Sequence, residues 1–342
     1  MKKKISLIFI GVFCVIFILT ISPPIFAQET KEKTSIDILS MGFGGSGYVA
    51  SFGLSELINK KSSWLRATCI ETGGSVENIK TLLTEPNRRK NTIIYSSYIA
   101  PYLSSKGLHP FQKKYESVKA LSLAMNIMAF LSTLDPNIKN GKDLEGKRIG
   151  FPPRSSIGYL NQQLVMQYTW KVWDSAKKEF LGWSDCISAL RDGMVDAAVT
   201  NPIIAGEKVL PNPAMTELLS GTKKTYFISI TEQDLETARK ATGYPLPKSI
   251  ICPPKSLSPK QTEKIEGGRA VNGWWADSEL PDEIAYEICR IIYENYKEFW
   301  TYHASLKGLV PSVMAAAAKD ESQFHPGAVK FYKEKNIEFG FK

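Results

Sequence analysis

Histidine and cysteine are scarce in this chain, with three His and five Cys in 342 residues. His109, His303 and His325 stand far apart, without HxH or HxxxH spacing, and read as surface or capping residues rather than zinc ligands. No CxxC occurs, and the cysteine density is far below that of a disulfide scaffold. Cys69, Cys186, Cys252 and Cys289 therefore read as single buried thiols. There is no G-x-S-x-G elbow, and the serines of the turns have no assignable His or Lys base, so nothing points to a catalytic nucleophile. Beyond residue 27 no stretch is apolar for long enough to cross a bilayer. The nearest, residues 118–134, is interrupted by Lys119, Ser122, Asn126, Ser132 and Thr133. What is plentiful is core material: 43% of residues are hydrophobic and 11% aromatic against 23% charged. That excludes disorder for most of the chain, and the length suits about two domains.

The first segment reads as an address. Met1-Lys2-Lys3-Lys4 precedes an apolar run from Ile5 to Ile21, followed by Ser22-Pro23-Pro24-Ile25-Phe26-Ala27. This is the layout of a secretory signal peptide cut near Ala27, with an uncleaved anchor as the alternative. Cys14 lies within the apolar run and lacks the setting of a lipoprotein cysteine. The formal charge of +9 includes the three leader lysines. Forty basic and 34 acidic residues remain, a net +6 that is scattered along the chain. The densest cluster, Arg88-Arg89-Lys90, reads as a solvated loop, and nucleic acid is not an expected partner.

After the leader, short strands alternate with helices. Residues 35–41 predict a strand, Gly42-Phe43-Gly44-Gly45-Ser46-Gly47 a turn, and Tyr48 to Lys61 a helix with Phe52, Leu54, Leu57 and Ile58 on one face. Residues 65–70 predict a second strand and Thr72-Gly73-Gly74-Ser75 a second turn. Ser75 would cap a helix whose inner residues are Val76, Ile79, Leu82 and Leu83. Residues 91–95 predict a third strand. This order implies an α/β layer fold with parallel strands. The pattern repeats from about residue 125: strand 147–151, a Pro152-Pro153 turn, helix 157–168, a short helix capped by Ser184, and strand 195–199. Residues 221–268 are rich in Lys, Pro, Thr and Ser and read as irregular. Pro281 opens a helix with Ile284, Ile288, Ile291, Ile292 and Phe299 along one stripe.

Gly42, Gly44 and Gly47 satisfy G-x-G-x-x-G between a strand and a helix, and Glu71 ends the next strand where a ribose-binding acid would stand. An exported enzyme or nucleotide-binding protein using this turn is thus an alternative reading. Export and an equally glycine-rich second turn weigh against it. In either case, bare backbone amides at a helix N-terminus suit an anion.

Thr72-Gly73-Gly74-Ser75-Val76-Glu77-Asn78 resembles a signature of the TAXI family of solute-binding receptors, which serve tripartite ATP-independent periplasmic (TRAP) transporters. The resemblance runs collinearly through residues 143–150, Pro152-Pro153, residues 190–197, Leu280-Pro281-Asp282-Glu283 and His325-Pro326-Gly327-Ala328. It implies a two-lobed periplasmic-binding-protein fold of type II with hinge strands. Lobe I would be residues 34–124 and 270–342, and lobe II residues 125–269. The crossings would lie near residues 121–132 and 269–276. It further implies a periplasmic receptor with no catalytic role and no cofactor, which delivers a small organic anion, an amino acid or carboxylate, to a TRAP permease. A ligand sensor of the same fold is the other reading. The ligand contacts implied are Gly44, Ser46, Tyr48, Gly74, Ser75, Tyr95 and Ser96 from lobe I. Arg154, Ser155, Asn201 and Trp275 would come from the other lobe and the hinge, with Arg154 a candidate for a bidentate carboxylate contact. The chain departs from the family in its first turn, which has a single Tyr48, and after the Pro-Pro pair, where Arg154-Ser155-Ser156-Ile157 stands.

Overall fold

The computed structural model describes residues 31–206 and 208–341. The leader of residues 1–27, with Cys14, lies outside the described residues. From Lys33 onward the chain clusters as one unit. It begins β1 (Thr34–Leu39), α1 (Ser46–Lys61), β2 (Leu65–Ile70), α2 (Ser75–Thr84), β3 (Thr92–Ser97) and α3 (Ile99–Lys106). β1 pairs in parallel with β2 on one side and β3 on the other, as the βαβαβ order predicts.

A long strand, β4 (Val118–Thr133), leads into β5 (Arg148–Phe151), α4 (Leu160–Tyr168), β6 (Lys177–Phe180), α5 (Trp183–Arg191) and β7 (Ala197–Thr200). β5 is parallel to both β6 and β7. The chain continues through β8 (Ile203–Ala205), β9 (Lys208–Leu210), α6 (Pro213–Ser220), β10 (Tyr226–Ile228), α7 (Glu232–Thr242) and β11 (Ser249–Cys252). A second long strand, β12 (Ile265–Asp277), precedes α8 (Asp282–Tyr302) and α9 (Pro326–Glu334). The main sheet order is β2-β1-β3-β12-β4-β7-β5-β6. The long strands β4 and β12 thus lie side by side at the centre. They pair antiparallel from Gly268↔Ala129 to Asp277↔Val118, with register shifts after Asn272 and Trp274.

Apolar periodicity explains the helix faces. Ile284, Ile288, Ile291, Ile292 and Phe299 of α8 are all buried, as their stripe predicts. Leu54, Leu57 and Ile58 bury one face of α1, but Phe52 is 42% exposed. Two residues before Leu54, it is turned by roughly 200° around the helix. It instead stacks on Tyr48 and meets the edge of Tyr302.

Two sequence expectations need correction. Residues 221–268 are irregular only in part, for they carry β10, α7 and β11. α7 starts with a full capping box: Asp234 N–H donates to Thr231 Oγ1, and Thr231 N–H donates to Asp234 Oδ2 at 2.8 Å. The prolines around it mark the ends of elements, not their absence. Arg88 and Arg89 are not solvated-loop residues either. Arg88 Nη2 pairs with Asp37 at 2.9 Å. Arg89 donates to the Leu82 carbonyl at 2.8 Å and pairs with Glu279 at 3.1 Å, which pins the segment to its neighbours.

Candidate functional site

The site is built where parallel strands end and helices begin. Asn78, fully buried in α2, donates through Nδ2 to the carbonyls of Leu39 at 3.1 Å, Ser40 at 2.7 Å and Tyr95 at 2.9 Å. One amide thereby ties the ends of β1 and β3 to α2. Thr72 Oγ1 adds a bond to Ser40 O at 3.0 Å. α1 starts at Ser46 and α2 at Ser75, and their N-cap residues, Gly45 and Gly74, offer no side-chain cap. The first amides of both helices therefore lack intrahelical acceptors and carry the positive end of the helix dipole. Ser75 is the first residue of α2, not its N-cap. Its Oγ accepts from Ser97 N–H at 3.1 Å. Ser184 is likewise inside α5, whose N-cap is Gly182.

Facing these termini is a polar scaffold from the later segment. Asn201, just after β7, accepts from Gln162 Nε2 at 2.9 Å and donates to Gly158 O at 2.8 Å. Asn212 caps α6 by accepting from Met215 N–H at 2.7 Å and donates to Asn201 O at 2.9 Å.

Between the two sets lies a small cavity. Met41, Ser46, Gly47, Gly74, Ser75 and Tyr95 form one side. Ser156, Gly158, Trp183, Asn201 and Asn212 form the other, and Met125, Ile127 and Asn272 of the long strands form the floor. No charged side chain is among them. The sides touch above the cavity: Ser155 Oγ donates to Gly73 O at 2.9 Å. Gly44 and Gly74 hold φ of +81° and +110°. A methyl on Gly44 would fall 2.2 Å from Ser184 Oγ, and one on Gly74 would fall 2.9 Å from Ser156 Cα. Only glycine tolerates both this conformation and this approach. Trp183 lines the cavity and also an outer depression shared with Glu71 and Asp185, and so stands between the two.

The model of one protein family, described as NMT1-like, matches residues 38–335. The chain belongs to the NMT1-like family. Among solved structures it is similar to MatC from Rhodopseudomonas palustris with bound malate, at 15% identity over 88% of this chain and 96% of that one, with a TM-score of 0.52. A structure described as a periplasmic transporter matches at 10% identity over 91% and 94%, with a TM-score of 0.51. These likenesses show the fold, which is the mixed α/β fold of periplasmic binding proteins.

Of the residues expected at the ligand, this NMT1-like chain brings Ser46, Gly74, Ser75, Tyr95 and Asn201 to the cavity wall. The others stand elsewhere. Gly44 is at the rim against Ser184. Tyr48 packs between the rings of Phe43 and Phe52. Ser96 is buried and donates to Ser97 O at 3.1 Å. Trp275 is buried and donates from Nε1 to Ser96 O at 3.2 Å. The Arg154 guanidinium lies 3.7 Å over the Phe180 ring, in an outer groove with Lys80 and His109, and Ser155 lines the same groove. A bidentate carboxylate contact inside the cavity is therefore out of place for Arg154 as folded.

Sequence reasoning missed Ser156, Trp183, Asn212 and Asn272. Two carried a signal: Asn212-Pro213 is a helix start, and Trp183 follows Gly182 at another. Glu71, the candidate ribose acid, accepts from Phe43 N–H at 2.7 Å and so braces the first glycine turn itself.

The NMT1-like chain holds its four described cysteines as free thiols, three of them buried. Burial pushes Cys186 and Cys289 up to about 12 and Cys252 up to about 11, so these three stay protonated thiols. Among the described residues there is no cluster of potential metal ligands. Among them, too, no helix is long and apolar enough to cross a membrane.

Proposed function

We propose that this protein is an extracytoplasmic, periplasmic solute-binding receptor that captures a small organic anion and delivers it to a membrane permease of the TRAP type. No bond is made or broken. The two lobes are residues 34–124 with 270–342 and residues 125–269, joined by β4 and β12, and the leader of residues 1–27 exports the chain. The TAXI resemblance supports the transporter class. The observation that carries the reading is the cavity: two uncapped helix N-termini meet there, lined by serine and tyrosine hydroxyls. Such a lining offers donors in excess to a negative group. A malate-bound neighbour of the same fold makes carboxylates the first compounds to try.

The test is a thermal-shift screen of amino acids, monocarboxylates, dicarboxylates and matched neutral or cationic compounds. A ligand that binds only the native state raises Tm by mass action, by about 2.7 kcal/mol of added stability at a hundredfold excess over Kd. A shift with a small carboxylate is the expected result. A shift only with neutral or cationic compounds overturns the reading.

A further inference from the structure

We propose that the cavity selects a monocarboxylate whose remaining atoms are uncharged, excluding both a second carboxylate and an ammonium group. The inference rests on the receptor reading above and narrows its ligand.

The donors come first. Ser75 Oγ already accepts from Ser97 N–H, so its proton is left to donate. Ser156 Oγ likewise accepts from Gly158 N–H at 3.2 Å. Tyr95 is 5% exposed, lines the cavity and has no hydrogen-bond partner for its hydroxyl among the described residues. Burial raises its pKa, so it stays a neutral donor. With the amides that open α1 and α2, these groups satisfy one carboxylate without a cationic side chain.

The acceptors are few. An ammonium needs a carboxylate or several carbonyl-type oxygens, since a buried charge without them is costly. No carboxylate lines the cavity. The side-chain oxygens of Asn201 and Asn212 are taken by Gln162 and by Met215 N–H. Of the three lining amides, only Asn272, whose Nδ2 turns to Ala270 O at 3.4 Å, keeps its oxygen unclaimed. One amide oxygen suits a hydroxyl or an amide, not a cation. Met41, Met125, Ile127 and Trp183 cover the rest of the wall. A second carboxylate placed there loses its water and finds at most the single indole N–H of Trp183 in return.

Titration calorimetry of the mature protein with four compounds of similar shape tests this. Isovalerate carries one carboxylate, valine adds an ammonium, methylsuccinate adds a carboxylate, and isovaleramide removes the charge. Isovalerate is expected to bind at least tenfold more tightly than the other three, and Tyr95→Phe to weaken it by about tenfold with the Tm of the unliganded protein unchanged. Tighter binding of valine or methylsuccinate overturns the inference and leaves the receptor reading standing. Failure of every carboxylate in the wider screen, with a neutral or cationic compound binding instead, overturns both.

Discussion

At the scale of the residue, Asn78 shows how a polar side chain can define a site without touching ligand. Its Nδ2 serves three backbone carbonyls at the ends of β1 and β3. Asn78→Ala leaves these buried acceptors without that donor, so a loss on the order of 2–3 kcal/mol is expected, read as a lower midpoint in urea denaturation with an unchanged slope. Ser75 is the opposite case, a residue with a hydroxyl proton to spare. Ser75→Ala is expected to weaken ligand binding by about 10–100-fold, the worth of a hydrogen bond to a charged group, which calorimetry reads directly. Both residues belong to one sequence segment, Thr72 to Asn78, yet their roles were not equally legible. The glycine turn announced a helix start, and the cavity indeed lies there. The cap role expected of Ser75 falls instead to Gly74, because φ of +110° at that position admits glycine and puts Ser75 one step inside the helix.

At the scale of the element, the helix ends were readable and the faces of the central strands were not. α7 was hidden among prolines although its Thr231-x-x-Asp234 box was present in the sequence. Thr231→Ala is expected to cost about 1 kcal/mol, visible as a Tm drop of a few degrees. β12 presents a different problem. A regular strand alternates faces with period two, and Trp275 was expected among the ligand contacts. Asn272 and Trp275 are an odd number of residues apart, so that alternation alone sets them on opposite faces. Asn272 reaches the cavity while Trp275 bonds to Ser96 O within the sheet. Which face of β12 turns to the cavity depends on how the strand lies against β4, and no local pattern of residues records it. Arg154 was misplaced for a related reason: its loop position was legible, but the Phe180 ring that draws its guanidinium away comes from β6, more than twenty residues later.

At the scale of the whole molecule, stability and the proposed closure have separate handles. His325 is buried at the N-cap of α9, where Nδ1 accepts from Gly327 N–H. Burial holds its pKa below the ordinary 6.5, with Asp282 opposing the shift. The unfolded chain therefore takes up the proton first, and stability present above about pH 6.5 falls as pH drops through that value toward the folded pKa. His325→Asn keeps a capping oxygen and removes the titration, so the acid side of its Tm–pH curve should be flatter than that of the natural chain. The proposed closure instead rests on the turns that meet over the cavity. At Gly44 a methyl would strike Ser184 Oγ of the facing turn. Gly44→Val is thus expected to hold the turns apart at a modest cost in Tm. Small-angle scattering should show the natural protein contracting when ligand is added and the variant failing to do so. Ligand affinity in the variant should fall at least tenfold, since the donors of α1 and α2 would lose the polar scaffold around Asn201 that faces them. Contraction of the variant equal to that of the natural chain would mean that the first turn is not part of the closing contact. The cleft would then shut through Ser155 and Gly73 alone.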